Sequence, residues 1–258
     1  MTEFVHDGVK IAYLDEGPGD GAVVLCIHGF ASNKSVNWVG PGWVQTLVDA
    51  GFRVIAHDNR GHGDSDKPHS AENYAPEVMA DDAAALLGHL SVNRANVMGY
   101  SMGARIAAFM AFRHPELIDK LVFGGLGIGM VEGVGDWDPI ADALLADSLD
   151  DVTHERGRMF RAFADQTGSD RMALAACISA SRTLLTPAQM AQIAAETLIA
   201  VGTKDDIAGA PHSLAAMMPN ATALDIAGRD HMLAVGDRQF KAGVLALFAN
   251  ETPIDVIV

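Results

Sequence analysis

Short runs of β-branched and aliphatic residues alternate with longer stretches of helical spacing along most of this chain of 258 residues. Residues 10–15, 22–27, 53–57, 95–98, 120–124, 197–201 and 222–226 read as strands. Residues 41–50, 76–90, 102–112, 212–218 and 238–248 read as helices. Strands alternating with helices imply βαβ units and a mostly parallel sheet covered on both faces. The right-handedness of such crossovers leaves a doubly wound α/β sheet as the expected architecture. The rhythm breaks once. Residues 128–196 carry no strand pattern; helical spacing instead groups Met159, Phe160 and Phe163, then Met172, Ala176 and Ile178. Thr186 before Pro187 has the form of an N-cap followed by a proline at the first helical position. The expected organisation is therefore a core of residues 1–127 and 197–258 interrupted by a helical cap of residues 128–196. Such a cap would lie over the C-terminal strand ends, where open α/β sheets bind ligands.

Composition narrows the function classes. Hydrophobic residues make up 49%, enough for a sizeable core, and 18 basic against 33 acidic residues leave a net charge of −15. That balance argues against nucleic acid and anionic membrane surfaces as partners. Cys26 and Cys177 lie far apart and form no disulfide framework. The N-terminal residues show neither a basic segment nor an apolar one of signal-peptide type, and no apolar stretch reaches the ~18 residues of a membrane span. The expectation is a cytoplasmic protein acting on a small molecule. The oligomeric state is not encoded in any pattern here.

The chemistry concentrates around Gly99-Tyr100-Ser101-Met102-Gly103, which follows an apolar run and opens a helical one. A Gly-x-Ser-x-Gly turn between strand and helix is the nucleophile elbow of esterase-type hydrolases. Its strained backbone lifts the Ser hydroxyl out of the sheet and demands small neighbours. In such a site one oxyanion N–H comes from the loop after an earlier strand and another from the residue after the nucleophile. His28-Gly29-Phe30 follows the strand ending at residue 27, so Phe30 and Met102 are the expected backbone donors. The general base must come late in the chain. His231, on a loop after the strand at residues 222–226, fits better than His212, which sits in a helical pattern. The acid that orients it falls after the strand at residues 197–201, where Asp205 and Asp206 are both candidates. Ser101, Asp205 or Asp206, and His231 then run in the Ser–Asp–His order of the motif. Trp38, Trp43, Met159 and Phe163 are candidate pocket-lining residues. No Cys or His cluster has metal-ligand spacing, since Arg158 stands where a zinc helix beginning His154-Glu155 would need a second His. No fingerprint for a dinucleotide or phosphate loop occurs, so neither metal nor cofactor is expected.

Together these motifs, from His28 to His231, resemble the α/β-hydrolase fold superfamily. Residues 58–65, Asp-Asn-Arg-Gly-His-Gly-Asp-Ser, resemble its D-x-R-G-x-G-x-S loop, which implies supporting rather than chemical roles for Asp58, Arg60 and His62. In relatives the acid lies three residues after the Gly of a G-x-x-D pattern, which implies Asp205, after Gly202, rather than Asp206. Relatives commonly place Gly before the base; here Asp230 holds that place. The resemblance implies hydrolysis of a small-to-medium, fairly apolar carboxylic ester through a Ser101 acyl-enzyme. Enol-lactone, thioester or carbon–carbon bond hydrolysis and perhydrolysis are alternatives on the same residues, and a ligand-binding protein that kept the fold is the alternative of another class.

Overall fold

The computed structural model describes residues 2–250. Eight strands form one sheet: β1 (Thr2–His6), β2 (Val9–Glu16), β3 (Val23–Ile27), β4 (Arg53–His57), β5 (Ala95–Tyr100), β6 (Ile118–Gly124), β7 (Glu196–Gly202) and β8 (Ala221–Ile226), in the order β1-β2-β4-β3-β5-β6-β7-β8. From β4 onward all pairs are parallel, while β1 and β2 add an antiparallel edge. β1 was not among the sequence-derived strands, although its signal is present. Asp7-Gly8 joins it to β2 with both residues at positive φ, 47° and 75°, and an Asp-Gly pair is the residue choice of a tight hairpin turn.

Helices α1 (Trp43–Asp49), α2 (Pro76–His89) and α3 (Met102–Arg113) connect the first parallel strands. α9 (Pro211–Ala215) and α10 (Arg238–Phe248) follow β7 and β8. Two apolar cores result, one on each face of the sheet. β3 shows why its residues read as a continuous apolar run: Leu25 and Ile27 enter the core shared with α2 and α3, whereas Val24 and Cys26 enter the core shared with α1 and α10. Strands buried on both faces lose the alternation of half-exposed ones.

Between β6 and β7 the chain forms only helices among the described residues: α4 (Gly129–Glu132), α5 (Asp138–Leu145), α6 (Glu155–Gln166), α7 (Arg171–Ala180) and α8 (Pro187–Met190), with a single 3₁₀ turn at Leu149–Asp151. Their ends follow local chemistry. Asp170 accepts from the Met172 and Ala173 amides at the start of α7, and Thr186 forms a reciprocal capping box with Gln189 ahead of Pro187. No described helix is long and apolar enough to cross a membrane.

Candidate active site

Ser101 sits where β5, near the middle of the sheet, turns into α3. Its backbone has φ 55° and ψ −113°, a region that costs a non-glycine residue ~1–3 kcal/mol and persists only when surrounding structure enforces it. The enforcement is visible in the packing. A Cβ on Gly103 would stand 2.0 Å from the Ile27 carbonyl oxygen, and one on Gly99 would stand 2.1 Å from the Gly103 oxygen. The helix start and strand β3 touch backbone to backbone, and the Ser101 amide donates to the Gly124 carbonyl at 2.8 Å. Gly103→Ala is expected to cost more than about 4 kcal/mol or to prevent folding, because rigid backbone must move. Gly88→Ala, in open space on α2, is expected to stabilise by ~0.5–1 kcal/mol. Chemical denaturation of both variants checks the pair; equal midpoints would refute the packing argument.

The three residues expected from separate loops meet at the strand ends. His231 follows β8, Asp205 follows β7, and these strands are parallel neighbours in register from Thr197↔Ala221 to Gly202↔Ile226. The imidazole Nδ1 lies 2.8 Å from Asp205 Oδ2 and Nε2 lies 3.0 Å from Ser101 Oγ. A carboxylate only accepts, so Nδ1–H donates to Asp205 and Nε2 faces the hydroxyl as an acceptor. Asp205 Oδ1 takes the Ile207 and Ala208 amides, both at 2.9 Å. Burial pushes its carboxyl pKa up, but the His231 hydrogen bond and charge, together with these two amides, outweigh that and hold it below the ordinary carboxylate value. Asp206 is exposed and makes no hydrogen bond to His231, whose Nδ1 is taken by Asp205. Asp230, where a Gly was expected, accepts from the Met232 and Leu233 amides at 3.0 and 2.8 Å and so caps the turn that carries His231.

The Gly29-Phe30 peptide is clamped from two sides. Asn37 Oδ1 accepts from the Gly29 amide at 2.9 Å, and His28 Nδ1 lies 2.7 Å from the Gly29 carbonyl oxygen. Because His28 Nε2 accepts from the Asn59 amide at 2.9 Å, Nδ1 carries the proton and donates. A trans peptide with its carbonyl held this way sends the Phe30 N–H in the opposite direction. Neither the Phe30 nor the Met102 amide has an acceptor among the described residues, and both residues line the cavity that contains Ser101. Met102 also opens α3, whose N-terminal dipole favours negative charge.

That cavity holds about 580 Å³ and is walled by Met102 and Leu126 of the sheet-bearing part and by Trp137, Phe160, Phe163 and Ile178 of the helical segment. The Phe160 ring lies 5.7 Å from that of Phe30, which sets α6 against the Gly29-Phe30 loop. Phe163 thus lines the cavity as expected. Met159 does not: it precedes Phe160, a helical step that turns it away by about 100°. It lies in an adjoining groove that shares His231 and Met232 with the cavity. Trp38 is a further correction. It is fully buried on the other side of the sheet, 6.3 Å from the ring of Trp43, which packs 5.0 Å from Phe240. Both tryptophans are core, because residues 35–39 form a π-helical turn that directs Trp38 inward.

Asp58 is occupied by Lys34, whose Nζ lies 2.6 Å from Oδ2, and Arg60 is held by Asp82 through two hydrogen bonds of 2.7 and 2.8 Å. Neither reaches Ser101 or His231. Three residues beside the site escaped the sequence reading. Asn37 anchors the Gly29-Phe30 loop from the turn after β3. Tyr100 donates its hydroxyl hydrogen to the His231 carbonyl at 2.6 Å and so fixes the backbone of that loop. Arg105 lies under the helical segment one turn after Ser101. No group of three or more His, Cys, Asp or Glu among the described residues is placed to hold a metal ion.

The sequence profile of the alpha/beta hydrolase fold family matches residues 22–158. A relative in Mycobacterium tuberculosis named "Putative non-heme bromoperoxidase BpoC" is 30% identical over 249 residues, covering 87% of this chain and 91% of that one. The chain belongs to the α/β-hydrolase fold family. A Bacillus subtilis protein named "Putative 2-succinyl-6-hydroxy-2,4-cyclohexadiene-1-carboxylate synthase" is 36% identical over 118 residues, 46% of this chain, and the match spans only 41% of that protein's length. The crystal structure of a hydrolase from Pseudomonas aeruginosa PA01 superposes with a TM-score of 0.81 at 24% identity, covering 96% of this chain and 97% of that one.

Proposed function

We propose that the chain is a serine hydrolase that cleaves a small-to-medium, fairly apolar carboxylic ester through an acyl-enzyme on Ser101. The observation that carries this reading is the hydrogen-bonded series Ser101–His231–Asp205 opening into an apolar cavity beside two amides without acceptors. In this scheme Ser101 Oγ attacks the ester carbonyl while His231 Nε2 takes its proton, and Asp205 stabilises the imidazolium. The oxyanion rests on the Phe30 and Met102 amides, each worth roughly 3 kcal/mol in such sites. Collapse breaks the ester bond, and the leaving alcohol carries off the proton from His231. Water, deprotonated by the same imidazole, then attacks the acyl-enzyme and frees the acid and Ser101. Water is the one co-reactant this scheme needs. Residues 128–196 act as the cap over a core formed by residues 1–127 and 197–258.

The test is a panel of p-nitrophenyl esters from acetate to octanoate, with a thioester and a lactone, run beside labelling by a fluorophosphonate. The expected result is turnover of short and medium esters and a phosphonyl adduct on Ser101. No turnover together with no adduct overturns the reading. The name of the mycobacterial relative favours a second use of the acyl-enzyme, in which hydrogen peroxide replaces water and releases a peracid that oxidises bromide. Bromination that requires both peroxide and a carboxylic acid would support it.

A further inference from the structure

Arg105 is the arginine of the cavity lining that no carboxylate pairs with among the described residues, whereas Arg182 is paired with Asp138. Arg105 lies on α3, four residues after Ser101, and is 6% exposed. Its guanidinium offers five N–H donors. Nη1 donates to the Met130 and Thr183 carbonyls at 3.2 and 3.3 Å, and Nη2 donates to the Gly129 carbonyl at 3.1 Å. That leaves Nε–H and one Nη2 hydrogen without an acceptor among the described residues. No carboxylate there comes within 4.0 Å of it, although buried arginines elsewhere in the chain are paired. Among the other charged residues lining the cavity, Arg182 is bound by Asp138 at 2.6 Å, while Glu132 and Asp136 are exposed toward solvent. Burial pulls the Arg105 pKa down to about 10, so the group remains charged at neutral pH.

The unused edge has a known partner in this same molecule. Arg53, Arg60 and Arg113 each present Nε and Nη2 together to the two oxygens of one carboxylate, on Asp15, Asp82 and Asp81. This is the bidentate arrangement in which Arg binds carboxylates most strongly. Arg105 lines the cavity with its Nε–H and one Nη2 hydrogen unaccepted, and no protein carboxylate among the described residues pairs with it. We infer that the acyl half of the substrate carries a second carboxylate, which Arg105 binds through Nε and Nη2 under the helical cap. The acyl half is the one assigned because it stays bonded to Ser101, whereas the leaving group departs on the His231 side, where the cavity meets the open groove. The inference rests on the acyl-enzyme reading and narrows it to half-esters of dicarboxylic acids or lactones with a free carboxylate.

The experiment compares p-nitrophenyl esters of glutaric acid, with one carboxylate free, and of pentanoic acid. The wild type is expected to favour the glutaryl ester by ~10-fold or more in kcat/KM, mainly through KM. Arg105→Gln is expected to erase that ratio and Arg105→Lys to retain part of it, since a Lys cannot reproduce the fork. Equal or reversed preference in the wild type, or a ratio that survives Arg105→Gln, overturns the proposal. Should Arg105→Gln fail to fold, the wild-type ratio and the Arg105→Lys variant still decide. Calorimetric binding of glutarate against pentanoate to the wild type separates the two levels. Tighter glutarate binding with no ester turnover keeps the Arg105 subsite and removes the acyl-enzyme reading. Ester turnover with no glutarate preference does the reverse.

Discussion

Ser101→Ala is expected to lower kcat on a responsive ester by about 10⁴- to 10⁶-fold, with little change in ligand affinity. The hydroxyl is hydrogen-bonded to the His231 imidazole in the cavity that Phe30 and Met102 also line. Its removal leaves the cavity, the Phe30 and Met102 amides and the backbone strain in place, so what is lost is the proposed covalent route alone. The size of the remaining rate then measures what the two amides and the cavity supply without a nucleophile. Asp205→Asn tests the next link. An amide opposite Nδ1 can donate as well as accept, which permits the wrong imidazole tautomer and turns Nε2 from acceptor to donor. A loss of about 10³- to 10⁴-fold is expected, against less than threefold for Asp206→Asn, whose side chain faces solvent. Single-turnover and steady-state kinetics on the purified variants decide both points. A Ser101→Ala protein that keeps wild-type turnover, or a larger loss at Asp206 than at Asp205, contradicts the assignment.

Mild acid is expected to destabilise this protein before its carboxylates titrate. His28 and His62 are fully buried beside each other, with ring centroids 5.1 Å apart. Burial, with a smaller push from His62, lowers the pKa of His28 to about 3; burial lowers that of His62 to about 4. His57 is buried too, and burial lowers its pKa as well. Asp58, Lys34 and Lys67 face this cluster, and the attraction of Asp58 does not offset the burial. In the unfolded chain each ring titrates near pH 6.5, so the unfolded state binds more protons throughout the interval between that value and the folded pKa. Stability is therefore whole above pH 6.5 and falls as the pH drops toward 4. Between pH 7 and pH 5, His28 and His62 together account for a loss of roughly 4 kcal/mol, and His57 adds to it in the same direction. Asp205 contributes only lower down, because its depressed pKa keeps it charged until the pH falls below the ordinary carboxylate range. Urea unfolding at pH 7 and pH 5 at constant ionic strength measures the difference; a change below about 1 kcal/mol refutes the account. The cluster also bears on the Gly29-Phe30 loop. A proton on His28 Nε2 would oppose the Asn59 amide that it now accepts from, and the clamp on the Gly29 carbonyl depends on that ring staying neutral.

Seven of the eight strands, β2 to β8, were legible because each is a local pattern. Strands buried on both faces need long apolar runs, and β3, β5 and β6 supply them. Ser101 was legible for the same reason: the elbow tolerates only small residues at two close backbone approaches, and that constraint is written within five positions. Asp205 and His231 could be named from their place after β7 and β8, since parallel neighbouring strands bring their following loops together. Trp38 and Met159 were misplaced because which way a side chain faces depends on turns that composition does not encode. A π-helical turn took Trp38 into the core, and one step along α6 moved Met159 out of the cavity.

Tyr100 and Arg105 show the remaining division most clearly. Both stand within four residues of Ser101, yet no pattern marked either. Tyr100 acts on a loop reached through a hydrogen bond across 131 positions of sequence, and Arg105 meets carbonyls 24, 25 and 78 positions away. By itself the sequence determined strands β2 to β8, the elbow and the order of the three polar residues, because each follows from short-range sterics or from strand succession. The tertiary structure alone decided which surfaces close over Ser101 and which cation is left without a partner there, because those depend on where the five helices between β6 and β7 come to rest.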